Sequence, residues 1–167
     1  KRLQVHHTLL PNQKTFEQTD KKVYKDPYVG RNQAFDAYGK KTWHYPDSKG
    51  CYIAQNLTIW PDGMIVTGRD LNSTPIGIKG WNDFAICCEI FGNFDKGGDT
   101  MPPAQRKAVL TVYGEMCKRF GLIPSSNTIR YHCWFTAAGV YLAGYDKYRS
   151  AKTCPGTAFF GGNTMAA

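Results

Sequence analysis

Three residues that are far apart in the sequence have the chemistry of a metal site. His6 lies near the beginning of the chain, whereas His132 and Cys154 lie near its end. Two imidazoles and one thiolate suit zinc, and a catalytic zinc typically has three protein ligands. Each of these residues alone is more often structural, so the hypothesis requires a fold that brings both ends of the chain together.

Glu89 and Lys152 are candidates for proton transfer and charge stabilisation. Glu89 interrupts an apolar run at residues 84–91, where a buried carboxylate must be paired, liganded or protonated. It is therefore either a general base near a metal-bound water or the partner of a Lys or Arg. Lys152 lies two residues before Cys154. Its ammonium either shares a cavity with Cys154, where it stabilises a developing oxyanion, or remains exposed in a turn.

The elements that would position these residues predict an α/β domain, with a central mixed sheet flanked by helices. Apolar alternation and turn signals predict strands at residues 3–8, 51–59, 64–67, 84–91 and 128–133. Helical periodicity predicts helices at 32–43 and 104–120, the second with prolines at its start and Gly121 at its end. A short final helix is expected from residue 158, and residues 10–28 are expected to form a long surface loop.

The composition is that of one globular domain. The chain has 167 residues, 42% hydrophobic and 20% charged, which is enough for a real core. No apolar run approaches the ~18 residues of a membrane-spanning helix, and no signal peptide is evident. The formal charge of +8 favours an anionic partner, although a solvated basic face explains it equally well. Most of the six cysteines are expected to be core residues rather than disulfides.

Five sequence blocks occur in one order over nearly the whole chain. They are VHHT at 5–8, PDG at 61–63 with GR at 68–69, GIKGWN at 77–82, AICCEIFGNFD at 85–95, and KTCPG at 152–156. Together they resemble the zinc-dependent N-acetylmuramoyl-L-alanine amidases of the type shared by bacteriophage endolysins and peptidoglycan recognition proteins. The overall character is most similar to an endolysin catalytic domain from a phage or prophage of a clostridial host.

The resemblance implies a zinc in a surface groove and hydrolysis of the amide between the lactyl group of N-acetylmuramic acid and the first L-alanine of the stem peptide. It implies that the zinc ligands are His6, His132 and Cys154, while His7 faces the core or supports the ligands. Glu89 then corresponds to the general base and Lys152 to a catalytic lysine. The candidate substrate contacts are Gln55, Arg69, Trp81 and Asn82.

Two features depart from the family pattern. Many members have a tyrosine in the strand before the Asp-Gly turn, where this chain has Gln55 and Asn56. Twenty-one residues separate His132 from Cys154, more than in short members. The aromatic insertion at 134–151 either walls the substrate groove or gives hydrophobic support.

The resemblance also sets expectations for domain limits, partners and location. We expect an amidase domain at 1–160 with a tail or linker at 161–167. Peptidoglycan is the expected substrate, and the basic surface is expected to bind anionic cell-wall polymers. We expect a monomer with no nucleic-acid partner and no transmembrane segment, made in the bacterial cytoplasm and acting on the wall after release. The alternatives are a non-catalytic peptidoglycan-binding module and a hydrolase with a cysteine nucleophile and His132.

Overall fold

The computed structural model describes residues 1–10 and 21–163 and contains a five-stranded mixed sheet. The strand order is β3-β2-β4-β1-β5, in which β2, β4, β1 and β5 run parallel and β3 is antiparallel to β2. The mixed α/β sheet is therefore confirmed. The strands are β1 Arg2–His7, β2 Leu57–Ile59, β3 Ile65–Thr67, β4 Ala85–Ile90 and β5 Ile129–Tyr131.

The described helices are α1 Lys21–Val23, α2 Pro27–Thr42 and α3 Pro103–Phe120. Helix α3 begins and ends as predicted, because Pro103 lies in its first turn and Gly121 ends it in the left-handed conformation, with φ of 60°. No described helix is long and apolar enough to cross a membrane.

The two faces of the sheet differ in chemistry. One face packs under α3 and forms the main core, with alternate residues such as Val5, Ile86 and Ile90 buried against Val109 and Val112. Burial of each such side chain contributes about 1.5–3 kcal/mol. Because successive strand residues point to opposite faces, the other face carries the polar residues of these strands: Gln4, His6, Thr58, Glu89 and Arg130.

Helix α2 is longer than predicted and begins at Pro27 rather than near residue 32. The Asp26 side chain accepts hydrogen bonds from the backbone N–H groups of Tyr28 and Val29 and so caps the helix. The predicted loop at 10–28 is therefore interrupted by α1 and by the start of α2, while residues 11–20 lie outside the described part of the chain. Only Gly30 and Gly39 of α2 are fully buried, whereas Phe35 is half-buried against Trp60 and Phe91.

The predicted strand at 51–59 is reduced to its last three residues. Asn56 explains the limit, because its side-chain oxygen accepts the backbone N–H of Cys87 at 2.9 Å and its amide donates to Asp70 O at 2.9 Å. The side chain therefore takes the place of a backbone acceptor for the Cys87 N–H, while the Asn56 backbone still bonds to Cys87 and Gly68. The predicted strand at 128–133 also ends early, at Tyr131, and continues as a 3₁₀ turn over His132–Trp134.

The cysteines are free in the structure, and all except Cys51 are buried, which confirms the expectation of core thiols. The end of the described chain forms the predicted short helix as a 3₁₀ turn, Phe159–Gly161. Asn163 is buried beyond it, and its carbonyl accepts the indole N–H of Trp134 at 2.8 Å. The domain limit at residue 160 stays a prediction, although the packing continues to Asn163.

Candidate metal centre

Strand order brings His6 and His132 together at one edge of the sheet. His6 is the fifth residue of β1, on the polar face, and pairs in register with Glu89 of the parallel neighbour β4. His132 follows directly after β5, the parallel neighbour on the other side. The carboxyl ends of parallel strands meet at the same edge, where α/β proteins bind ligands.

Cys154 is brought to the same edge from the carboxyl-terminal part of the chain. Its carbonyl accepts the N–H of Cys133 at 2.7 Å, and its sulfur accepts the N–H of His7 at 3.3 Å. The potential ligand atoms of His6, His132 and Cys154 all lie within 4.8 Å of one another. The sequence therefore predicted the convergence of these three residues correctly.

The loop that carries Cys154 is held on both sides by Asp95. One carboxylate oxygen accepts the hydroxyl of Thr153 at 2.9 Å, and the other accepts the N–H of Thr157 at 3.0 Å. Gly156 packs so closely on Phe94 that a Cβ would lie 2.4 Å from its backbone. Asp95 thus fixes the segment that carries the Cys154 thiol. Asp95 lies within the block at 85–95, but the sequence did not predict this role.

The two imidazoles are held in their neutral form. Burial, with smaller contributions from His132 and the Lys152 ammonium, lowers the pKa of His6 well below its ordinary value. Burial and Lys152 lower the pKa of His132 to about 4. Neutral imidazoles have the lone pairs that metal coordination requires. His7 points elsewhere: its Nδ1 accepts the N–H of Phe94 at 3.3 Å, as expected for a supporting residue.

Glu89 is a carboxylic acid in an environment that disfavours its charge. Burial raises the pKa of Glu89 to about 8, and the nearby Lys152 opposes the shift. Its Oε2 atom is buried without a hydrogen-bond partner among the described residues. No ion pair of Glu89 occurs among the described residues. Lys152 is exposed at the rim of the site.

Glu89 also lines a groove of about 460 Å³. Gln55 lies beside it, and Arg31, Phe35 and Tyr38 of α2 form part of the wall. The groove is large enough for part of an extended substrate. A concavity of similar size lies between α2 and β3 but contains none of the predicted site residues.

Residues 1–157 match the family Amidase_2, described as N-acetylmuramoyl-L-alanine amidase. The chain belongs to this amidase family. No curated protein gives a significant match to this amidase-family domain.

Solved structures share the fold of the amidase-family domain. The Ph2119 endolysin from the Thermus scotoductus MAT2119 bacteriophage Ph2119 has a TM-score of 0.58 and 17% identity over 97% of this chain and 84% of its own. The amidase LysC from Clostridium intestinale URNW has a TM-score of 0.52 and 17% identity, and the match covers 93% of this chain and 75% of LysC. Drosophila PGRP-LB has a TM-score of 0.55 and 18% identity. This match covers 74% of this chain and 64% of the PGRP-LB chain, so it spans less than two thirds of that protein.

The donor set of the amidase-family domain fits zinc. Two nitrogen ligands of a tetrahedral zinc with Zn–N distances of ~2.0–2.1 Å lie about 3.3 Å apart, and His6 Nδ1 lies 3.2 Å from His132 Nδ1. The buried thiol of Cys154 completes the two-imidazole, one-thiolate set that the sequence predicted. Burial raises the pKa of the Cys154 thiol well above its ordinary value, so a bound cation would have to favour the thiolate.

The structure corrects part of the predicted substrate-contact set. Arg69 is fully buried and donates hydrogen bonds to Ile53 O at 2.9 Å and Tyr45 O at 2.7 Å. Its guanidinium therefore braces the loops of the amidase-family domain and is not available to substrate. Asn82 is also occupied, because its side-chain oxygen accepts the N–H groups of Gly77 and Ile78.

Trp81 packs in an aromatic cluster with residues of the 134–151 segment. The guanidinium groups of Arg2 and Arg130 lie 4.5 and 4.6 Å from the Trp81 ring centre. Trp134 and Tyr141 of the insertion belong to the same cluster, which favours hydrophobic support as their role. Of the predicted contacts, only Gln55 lines the groove beside Glu89.

Proposed function

We propose that this domain is a zinc-dependent N-acetylmuramoyl-L-alanine amidase that cleaves the bond between N-acetylmuramic acid and L-alanine in peptidoglycan. The observation that carries the proposal is the convergence of the ligand atoms of His6, His132 and Cys154 within 4.8 Å beside Glu89, whose Oε2 atom has no hydrogen-bond partner among the described residues. The family match and the names of the endolysin and amidase of similar fold support the substrate class.

Zinc held by the three ligands would polarise the scissile carbonyl and lower the pKa of a water molecule. A bound cation and the nearby Lys152 would favour the charged form of Glu89, so that its carboxylate can accept a proton from the attacking water as the water oxygen bonds to the carbonyl carbon. The carbon–nitrogen bond breaks, and Glu89 returns the proton to the nitrogen of the leaving L-alanine. The products are the lactyl carboxylate and the ammonium group of the peptide's L-alanine, which takes up the second proton of the water.

Lys152 has the position of a charge stabiliser. Its ammonium lowers the pKa of His6, His132 and Glu89, so its electrostatic field reaches the whole site. A cation there stabilises the negative charge that develops on the carbonyl oxygen during attack. Its exposure at the rim leaves it accessible to substrate.

The groove between α2 and β4 is the proposed position of the substrate. Gln55 is nearly fully buried and donates to the hydroxyl of Thr58 at 3.0 Å. Thr58 pairs in register with Glu89, and Gln55 and Glu89 line the same groove. We assign Gln55 to substrate positioning, in the region where related amidases have a tyrosine.

Replacement of Glu89 by alanine tests its catalytic role. We expect Glu89→Ala to keep zinc and lose most amidase activity, because none of the three ligands changes. The assay measures the release, from purified peptidoglycan, of stem peptides whose L-alanine has a free amino group. Zinc content is measured on the same sample. Full activity of Glu89→Ala would remove Glu89 from the mechanism.

A non-catalytic binding module is the second candidate, since recognition proteins share this fold and one structure shows tracheal cytotoxin bound to the recognition proteins LCa and LCx. The complete ligand set favours catalysis, because binding alone does not need a metal-bound water. Binding of peptidoglycan without release of amines by the zinc-loaded protein would support the module. Loss of activity on thiol blocking of zinc-free protein would instead favour a cysteine nucleophile.

The basic surface is proposed to concentrate the domain on anionic wall polymers. The described lysines at 21, 22, 25, 40, 41 and 49 are exposed, and the formal charge is +8. Attraction of this kind is screened by salt, with a Debye length of ~8 Å at physiological ionic strength. Wall binding should therefore weaken as salt is added, and binding that does not respond to salt would contradict the proposal.

A further inference from the structure

We propose that Gln4 is a positioning residue of the metal centre: its side-chain carbonyl accepts the Nε2 proton of His6 when Nδ1 of the same ring holds a metal. The inference rests on the metal site of the proposed function. It concerns a residue that neither the family blocks nor the predicted site contains.

The orientation of the Gln4 amide is fixed by its surroundings. Gln4 is 1% exposed, and its Nε2 donates to Trp81 O at 2.8 Å and to Asn82 Oδ1 at 3.4 Å. Asn82 Oδ1 is an acceptor, because it receives the N–H groups of Gly77 and Ile78. A flipped amide would place its oxygen against two acceptors. The amide nitrogen therefore faces Trp81, and Oε1 faces the other side.

Two buried atoms meet on that side without hydrogen-bond partners. Gln4 Oε1 and His6 Nε2 both lack a partner among the described residues. Gln4 and His6 are two positions apart on β1 and share its polar face. A Cβ at Gly77 would lie 2.0 Å from Gln4 Oε1 and 3.1 Å from His6 Nε2. The acceptor and the ring nitrogen therefore border one small space, which the missing side chain of Gly77 leaves open.

Metal coordination creates the donor that this acceptor lacks. His6 Nδ1 faces His132 Nδ1 at 3.2 Å, so Nδ1 is the nitrogen that faces the metal. The proton of the neutral ring then resides on Nε2. Metal-bound histidines usually donate that proton to a carbonyl or carboxylate, which fixes the ring and its tautomer. Gln4 Oε1 is the unpartnered acceptor on the correct side of the ring.

Arg130 offers a competing use for the same oxygen. It pairs in register with Gln4 on β5, it is 6% exposed, and its Nε and Nη1 atoms have no acceptor in the described part of the chain. If Gln4 serves Arg130 alone, the loss of its oxygen leaves metal binding unchanged. The two possibilities therefore differ in zinc affinity.

The experiment compares zinc dissociation constants by competition with a chromophoric chelator. We expect Gln4→Met, which keeps the volume but removes the acceptor, to weaken zinc binding by about 10–100-fold. Arg130→Met is the matched control on the neighbouring strand and is expected to leave the constant within about threefold of wild type. Thermal melting of the metal-free proteins checks that each variant folds.

Gly77→Ala provides a second route that removes no polar group. Its methyl group would displace Gln4 Oε1, so zinc affinity should fall, and the double variant with Gln4→Met should bind no more weakly than the weaker single variant. In zinc-loaded wild type, the Nε2 proton of His6 should be protected from solvent exchange by NMR, and this protection should be lost in Gly77→Ala.

The outcomes separate the two proposals. Wild type that binds no zinc overturns the metal site and, with it, the role of Gln4. Wild type that binds zinc, with Gln4→Met binding equally tightly or with additive effects of the two substitutions, overturns the role of Gln4 alone. If Gln4→Met does not fold, unchanged zinc affinity in Gly77→Ala is the contradicting result.

Discussion

Glu89 should make the stability of the metal-free protein fall as pH rises. Burial raises the pKa of Glu89 from 4.5 to about 8. Between these values the unfolded chain has released a proton that the folded protein still holds, so the free energy of unfolding decreases with pH. The stability that the neutral acid contributes is fully present below pH 4.5 and is lost as pH rises through about 8. The total is about 5 kcal/mol, because each tenfold change in proton affinity corresponds to about 1.4 kcal/mol.

The interval from pH 7 to pH 8 suits the test, because a comparison with Glu89→Gln removes the contributions of the other titrating groups. The three histidines with lowered pKa, His6, His7 and His132, are mostly neutral there in both the folded and the unfolded states. Because the folded Glu89 begins to ionise near pH 8, the expected loss over this interval is about 1 kcal/mol. The assay is urea unfolding with excess chelator, in which this loss moves the midpoint by about 0.5 M for a slope of ~2 kcal/mol/M.

Glu89→Gln is the matched comparison, because the amide keeps the shape but does not titrate. We expect its unfolding midpoint to change with pH by about 0.5 M less than that of wild type over this interval. Parallel behaviour of the two proteins would show that Glu89 is already ionised in the folded state at pH 7, and the reasoning from burial would then be wrong.

Three further substitutions probe individual parts of the site. Cys154→Ser should release zinc, because the thiolate ligand is lost, and an unchanged zinc content would contradict the ligand set. Lys152→Met should lower kcat by about 100-fold with zinc retained, as for loss of one oxyanion-stabilising group; wild-type kcat would show that Lys152 is only a surface residue. Asp95→Ala should weaken zinc binding by about 10–100-fold, because the Cys154 loop loses two hydrogen bonds. Asp99→Ala is its control, since Asp99 accepts the N–H of Asn93 in the same loop, and equal effects of both substitutions would argue against specific positioning.

The residues that converge at the candidate site could be predicted because their chemistry is unusual for their positions. A buried carboxylate in an apolar strand marks Glu89, and alternation along β1 separates the roles of His6 and His7. The same alternation places Gln4 beside His6, so this polar residue in an apolar strand was a usable signal. Its consequence depends on the orientation of the amide, which is set by the distant residues Trp81 and Asn82.

Other features depend on tertiary contacts that no local pattern contains. From the sequence, Arg69 was predicted to contact the substrate. In the fold its side chain is buried and donates hydrogen bonds to the carbonyl groups of Ile53 and Tyr45. The bonds from Asp95 to Thr153 and Thr157 span about sixty positions and become visible only in the fold. The start of α2 could have been predicted locally, because Asp26 followed by Pro27 is a capping signal. This signal outweighs the weak helical periodicity that placed the start at residue 32.

Metal analysis combined with mass spectrometry of digested peptidoglycan tests the proposed function most directly. We expect the purified protein to contain one zinc per chain and to release stem peptides that begin with a free L-alanine amine, and we expect chelation to abolish both zinc and release. A protein that holds no zinc, or that releases such peptides equally well after chelation, would contradict a zinc amidase built on His6, His132 and Cys154.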